Sequence, residues 1–280
     1  MDTVTIACAQ LAPVVGDGEG NRRLTREAVR EAVAAGARLV VLPELATSGY
    51  VFESADEARS LAQPPDGPAL RDWAEAAAAG DAIVIGGFAE LGDDGAVYNS
   101  AAVVGPGGTT AVYRKAHLWD EEQVCFEPGG EPAPVLDTPL GRIGVAVCYD
   151  LYFPELTRAL VLGGADVLAF PSNMPLYPRP EGERPVEIAL VQATAHVNHV
   201  WVVNCDRAGP ERGVEWTGAS VIVDPDGWIA AGPVEGYGEG LLLTDCDLAR
   251  SRDKAWTARN DVIGDRRPEL YGLGEPTAAR

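Results

Sequence analysis

Two stretches of this chain echo one another, and that echo narrows the possible folds more than any other feature. Ala35-Gly36-Ala37-Arg38-Leu39-Val40-Val41-Leu42-Pro43 reappears in kind as Gly163-Gly164-Ala165-Asp166-Val167-Leu168-Ala169-Phe170-Pro171. Each copy follows a helical stretch, stops it at glycine, runs through apolar β-type residues and ends at proline. A strand that is apolar throughout has to be covered on both faces. Each copy is then followed by a further helix, a further strand and a Pro-Gly-type hairpin. Two such α/β halves, each too exposed alone, bury their surfaces by packing sheet to sheet with helices outside. No linker-like composition separates them, so residues 1–280 read as one domain.

Hydrophobic periodicity places the other elements around this frame. Strands are expected at 4–10, 38–42, 82–88, 166–170, 200–206 and 241–245. Helices are expected at 21–35, 66–79, 154–162 and 185–198. Hairpins pair 98–104 with 110–114 and 219–223 with 228–231. Beyond about residue 248 the chain reads as a partly helical tail with little core of its own.

Composition removes several classes of function. A formal charge of −20 lacks the basic face that nucleic-acid binding needs. No apolar run is long enough to span a bilayer, and Met1 to Ala7 leads directly into a strand with no leader-like pattern. A soluble, cytoplasmic protein is expected. The five cysteines are scattered and form no C-x-x-C pair. With only three histidines, neither a disulfide framework nor a metal centre is expected. Lysine is scarce: only Lys115 and Lys254 stand against 20 arginines.

Three residues with chemical potential fall at equivalent places. Glu44 follows one covered strand, Lys115 follows a hairpin strand, and Cys148 ends the apolar run from Gly141, just before a helix opened by Pro154. Ligands gather at strand carboxyl ends in α/β sheets. Taken singly, each has a plain structural alternative: a helix cap, a surface charge, a core thiol. Together they supply a nucleophile, a carboxylate to take and return its proton, and a cation for an oxyanion.

Leu42-Pro43-Glu44, Tyr113-Arg114-Lys115-Ala116-His117-Leu118 and Val147-Cys148-Tyr149-Asp150 with Phe153-Pro154-Glu155 resemble the three signature blocks of the nitrilase superfamily of carbon–nitrogen hydrolases. The resemblance extends from Ala7-Cys8-Ala9-Gln10 through Phe126-Glu127-Pro128-Gly129 to Asp265-Arg266-Arg267-Pro268-Glu269-Leu270-Tyr271. It implies a four-layer αββα sandwich of two pseudo-symmetric halves with mixed β-sheets. It also implies a homodimer or larger homo-oligomer, in which the tail at about 248–280 packs on a partner subunit. Carried over residue by residue, Glu44 is the general base and acid, Lys115 stabilises the tetrahedral intermediate, and Cys148 is the nucleophile. Glu122 resembles a second active-site glutamate, with the adjacent Glu121 as the other possible register. No cofactor and no metal are implied.

Oxyanion and substrate contacts are expected from Tyr149, whose backbone N–H faces the nucleophile, and from Asn173, Trp119, Tyr50, Tyr152 and Met174; ordinary packing is the alternative for each. His117 reads as structural support. Pro171 to Tyr177 resembles the same stretch in aliphatic and ω-amino amide hydrolases. The expected activity is therefore hydrolysis of small primary amides through a cysteine thioester. Nitrilase and N-carbamoyl amide hydrolase activities are the alternatives. A non-catalytic binding or assembly relative is the alternative from another class. Cys148-Tyr149-Asp150 departs from the Cys-Trp-Glu more frequent in true nitrilases.

Overall fold

The computed structural model describes residues 3–272. Strands β1 (Thr3–Gln10), β2 (Leu39–Val41), β3 (Ile83–Leu91), β4 (Val97–Gly105), β5 (Gly108–Arg114) and β12 (Gly240–Asp247) form one six-stranded sheet, in the order β12-β1-β2-β3-β4-β5. Strands β6 (Val135–Thr138), β7 (Gly141–Val145), β8 (Val167–Pro171), β9 (Trp201–Cys205), β10 (Val221–Val223) and β11 (Ile229–Ala231) form a second, ordered β11-β10-β9-β8-β7-β6. Both sheets are mixed. β1, β2 and β3 run parallel in the first, β7, β8 and β9 in the second, and antiparallel strands flank each trio. The two echoing stretches are thus the middle strands, β2 and β8.

Side-chain alternation builds the layers. Ile6 and Cys8 of β1 and Leu39 and Val41 of β2 share a core with Val167, Ala169 and Val203 of the opposite sheet. Ala7, Ala9 and Val40 point the other way, onto α1 (Gly18–Ala34) and α3 (Pro68–Ala78), where Trp73 is fully buried. α5 (Pro154–Leu162) and α6 (Val186–Asn198) cover the second sheet. The result is the four-layer αββα sandwich, with the continuous apolar strands sealed between helices and the facing sheet.

Local differences from the sequence reading have local causes. The apolar run from Gly141 stops being a strand at Val145, and Cys148 opens a 3-10 turn, Cys148–Tyr152. α1 begins earlier than residue 21, because the Asp17 carboxylate accepts the Gly20 N–H and caps it. Three short elements have too few residues for periodicity to register: α2 (Ala55–Leu61), α4 (Glu122–Cys125) and β6. Among its described residues, the tail is helical only in two 3-10 turns, Leu248–Arg252 and Pro268–Leu270, and holds a small sheet between them. After a 3-10 turn at Leu248–Arg252 comes a small hairpin of β13 (Ala255–Thr257) and β14 (Asn260–Asp261). Lys254 fastens it by donating to the Asn198 and His199 carbonyls, which would otherwise be left open at the end of α6. Positions 273–280 of the tail lie outside the described residues.

Candidate active site

The carboxyl ends of β2 and β8 meet where the two sheets face each other. Asn173, just past β8, donates its side-chain amide to the Glu44 carbonyl at 2.9 Å. The turn after β2 is held close to β3: Ala46 N–H donates to the Gly87 carbonyl and Gly87 N–H to that of Pro43, each at 2.9 Å. A Cβ at position 87 would overlap Glu44 Cα and Leu45 N, so glycine is needed for this approach. Glu44 is thereby turned inward, fully buried.

Lys115 leaves the end of β5 and is also fully buried. Its Nζ lies 2.7 Å from Glu44 Oε1 and 2.7 Å from Glu122 Oε1. Asn99 Nδ2 donates to the same Glu44 oxygen at 2.7 Å. Glu44 Oε2 is buried with no hydrogen-bond partner. Glu122 is fixed on three sides, by Lys115, by the Tyr50 hydroxyl on Oε1 and by the Trp119 N–H on Oε2. Its neighbour Glu121 is exposed, so the ion pair to Lys115 is made in the Glu122 register.

Cys148 sits at the corner after β7 with φ of 44°, in the left-handed region that costs a non-glycine residue about 1–3 kcal/mol. Its Sγ is 3.6 Å from the Asn173 carbonyl. Tyr149 is the second residue of the turn, and the first N–H groups of a helical turn have no acceptor within it. The corner therefore presents a thiol and a free N–H together.

Burial governs the protonation states. It pushes the Glu44 carboxyl up to about 7; the Lys115 charge opposes this and Glu122 adds to it. Burial works against the Lys115 ammonium, but Glu122 and Glu44 outweigh it and hold its pKa well above the ordinary value. Burial, and then the Glu44 charge, raise the Cys148 thiol well above its usual range, with Lys115 opposing. The resting group is thus a thiol in need of a base, beside a carboxylate with one oxygen unengaged.

A cavity of about 200 Å³ opens beside Glu122. Tyr50, Trp119, Tyr177 and Trp216 form aromatic walls, and Asp120, Glu121 and Glu122 are its acids. No lysine or arginine is among its described lining residues. It meets the ion-pair cluster at Glu122; Glu44, Lys115, Cys148, Tyr149, Tyr152, Asn173 and Met174 do not line it. Tyr149 packs edge-on against Trp119, Tyr152 is largely exposed, and Asn173 and Met174 are buried in the turn after β8. Sequence reasoning missed two carboxylates behind this wall. Asp206 accepts the N–H groups of Met174, Arg207 and Ala219, fixing the turn that carries Asn173. Glu211 accepts those of Val15, Tyr50 and Val51 and pairs with buried Arg207 at 3.0 Å. Their only sequence signal is an acid one residue past an apolar strand and an Arg–Glu pair four apart.

The family model for carbon–nitrogen hydrolases matches residues 5–255. A nitrilase of Pyrococcus abyssi is 37% identical over 271 residues, covering 96% of this chain and 99% of its own. Among solved structures, a double mutant of the amidase from Nesterenkonia sp. AN1 in complex with acrylamide superposes with a TM-score of 0.78 at 27% identity, over 96% of each chain. A further structure of that amidase has the acetamide moiety of fluoroacetamide added covalently at its active-site cysteine; TM-score 0.77, 28% identity, 95% of each chain.

Proposed function

The chain belongs to the carbon–nitrogen hydrolase family, and from that premise we propose that it hydrolyses small primary aliphatic amides to the carboxylic acid and ammonia, through a thioester on Cys148. One observation carries the reading. Lys115 is clamped between Glu44 and Glu122, while Glu44 keeps a buried oxygen with no hydrogen-bond partner and its charge acts on the Cys148 thiol. Glu44 takes the Sγ proton and the thiolate attacks the amide carbonyl. Lys115 Nζ and the Tyr149 N–H hold the oxyanion. Glu44 returns the proton to the departing nitrogen, releasing ammonia. It then takes a proton from water, which attacks the thioester; the acid is released as the C–S bond breaks and Glu44 returns that proton to the Cys148 sulfur. Glu122 holds Lys115 and orients the amide. No step needs a cofactor. The small cavity that adjoins Glu122 supports a short substrate, and its acids support a neutral or positively charged one.

We place this activity in a homodimer or larger homo-oligomer in the cytoplasm, a single catalytic unit with its tail against a partner subunit. Leu162, Val186 and Val197, apolar and exposed on the outer helices, support association through that layer. Free cysteines suit a reducing compartment.

The test is ammonia release from a panel of short primary amides, with matched nitriles and N-carbamoyl compounds, by the protein and by Cys148→Ala. Turnover of the amides, lost in the folded variant, supports the proposal. Preference for the nitriles or carbamoyl compounds replaces the substrate class. A dead panel with a reactive thiol returns the protein to a binding or assembly role.

A further inference from the structure

The two groups assigned to the oxyanion belong to different sheets. Lys115 is tied to the first, where its N–H donates to the Asn99 carbonyl at 2.8 Å. Tyr149 follows β7 of the second. One side chain joins the two segments directly. Asp150, fully buried, accepts the Val147 N–H at 3.0 Å and the Tyr113 hydroxyl at 2.9 Å on Oδ2. On Oδ1 it accepts the His117 N–H at 3.2 Å and meets His117 Nδ1 at 2.7 Å. Tyr113 and His117 flank Lys115; Val147 precedes the nucleophile. The His117 ring is stacked on Phe153 at 3.6 Å, with 13° between planes, which fixes the ring plane in which Nδ1 meets Asp150. Three of these contacts are donated N–H or O–H groups, and the fourth is donated in the tautomer that carries the His117 proton on Nδ1, so both Asp150 oxygens are used.

Resting on the proposed amide chemistry, we propose that Asp150 is a positioning residue for the oxyanion site, setting the spacing between Lys115 Nζ and the Tyr149 N–H, with His117 as the donor that locks it. Such a clamp matters only when charge develops on the carbonyl oxygen. Preorganised donors owe their effect to being held in place beforehand, and losing one costs about 10²–10³ in rate.

Two reactions of Cys148 separate this role from general support. Alkylation by 2-iodoethanol, which has no carbonyl to enter the oxyanion site, displaces iodide from carbon and builds no oxyanion. A short aldehyde such as butyraldehyde forms a thiohemiacetal. In that adduct the S–C bond forms, the carbonyl π pair moves onto oxygen, and the thiol proton passes to Glu44. Neither measurement requires amide turnover, so failure of the amidase reading and failure of this inference are distinct results.

In Asp150→Asn one amide hydrogen replaces an acceptor and opposes a donor. Aldehyde affinity should fall about tenfold or more and kcat on butyramide about 10- to 100-fold, with KM and the alkylation rate within about threefold. His117→Leu should show the same split, and His117→Asn, which returns an N–H donor near the Nδ1 position, should recover most of the loss. If Asp150→Asn does not fold, the His117 pair decides alone. Equal losses in alkylation and aldehyde binding, no loss in either, or no difference between His117→Leu and His117→Asn would overturn the proposal.

Discussion

Replacing Lys115 by methionine keeps the side chain's length and removes its charge. The ammonium lies 2.7 Å from one oxygen of Glu44 and of Glu122, and the three side chains are 0%, 0% and 2% exposed. Without it, two buried carboxylates face each other. Deleting one partner of a buried ion pair typically costs about 3–5 kcal/mol, because the remaining charge has no water to return to. At about 2–4 °C per kcal/mol for a chain of this size, Tm should fall by about 6–20 °C at pH 8. The sign with pH follows from protonation. Loss of the cation raises the Glu44 carboxyl further above its unfolded value of 4.5, so the folded variant holds a proton that the unfolded chain releases. Its stability therefore falls as pH rises through that window; because the parent's Glu44 already sits at about 7, the deficit should be small near pH 5 and larger at pH 8. Adding Glu122→Gln removes one of the two charges and should restore part of the loss, while ammonia release stays down about 10²–10³-fold. Calorimetry across pH on the three proteins, with turnover measured alongside, checks each step. A Lys115→Met protein as stable as its parent at pH 8, or with the same deficit at both pH values, would refute the reasoning.

Three further expectations are simpler. Because burial lifts Glu44 to about 7 and a base must be ionised to act, kcat/KM should rise with pH up to about 7 and then level; a flat profile between pH 5 and 8 would remove Glu44 as the base. Glu211→Ala leaves three backbone N–H groups without their acceptor and the buried Arg207 guanidinium without its ion-pair partner, so denaturant melts should show about 3–5 kcal/mol lost at unchanged m-value; a loss below about 1 kcal/mol would mean water or a neighbour replaces the carboxylate. If the acidic surface steers cations, an ω-amino amide should lose its rate advantage over a neutral amide of equal length as salt shrinks the Debye length from about 30 Å to about 3 Å. An unchanged ratio would dispose of steering.

The sheets were legible because burial on both faces leaves a run that no surface element imitates. β2 and β8 each combine such a run with a glycine stop before it, and their likeness gave the two-fold frame. The short pieces were not legible. α4 has four residues, too few for a helical period, yet it decides that Glu122 rather than Glu121 turns to Lys115. The tail hairpin depends on Lys254 reaching carbonyls of a distant helix, a contact no local pattern records.

The chemistry divides along the same line. Sequence alone supplied the residue types: a thiol, a scarce lysine and a glutamate, each at a strand end, where chain direction brings side chains to one edge of a sheet. It could not supply their protonation, because that depends on burial and on charges contributed by residues far apart in the chain. Only the packed sheets remove water from Glu44, bring Lys115 between two carboxylates, and leave one Glu44 oxygen without a partner. Nor could it show that Asp150 ties the two sheets' contributions together, since hydrogen bonds that span 33 and 37 residues leave no periodic trace in the chain. Local pattern is written by short-range sterics and hydrophobic alternation; the site is decided by desolvation and by distances between segments that meet only in the folded state.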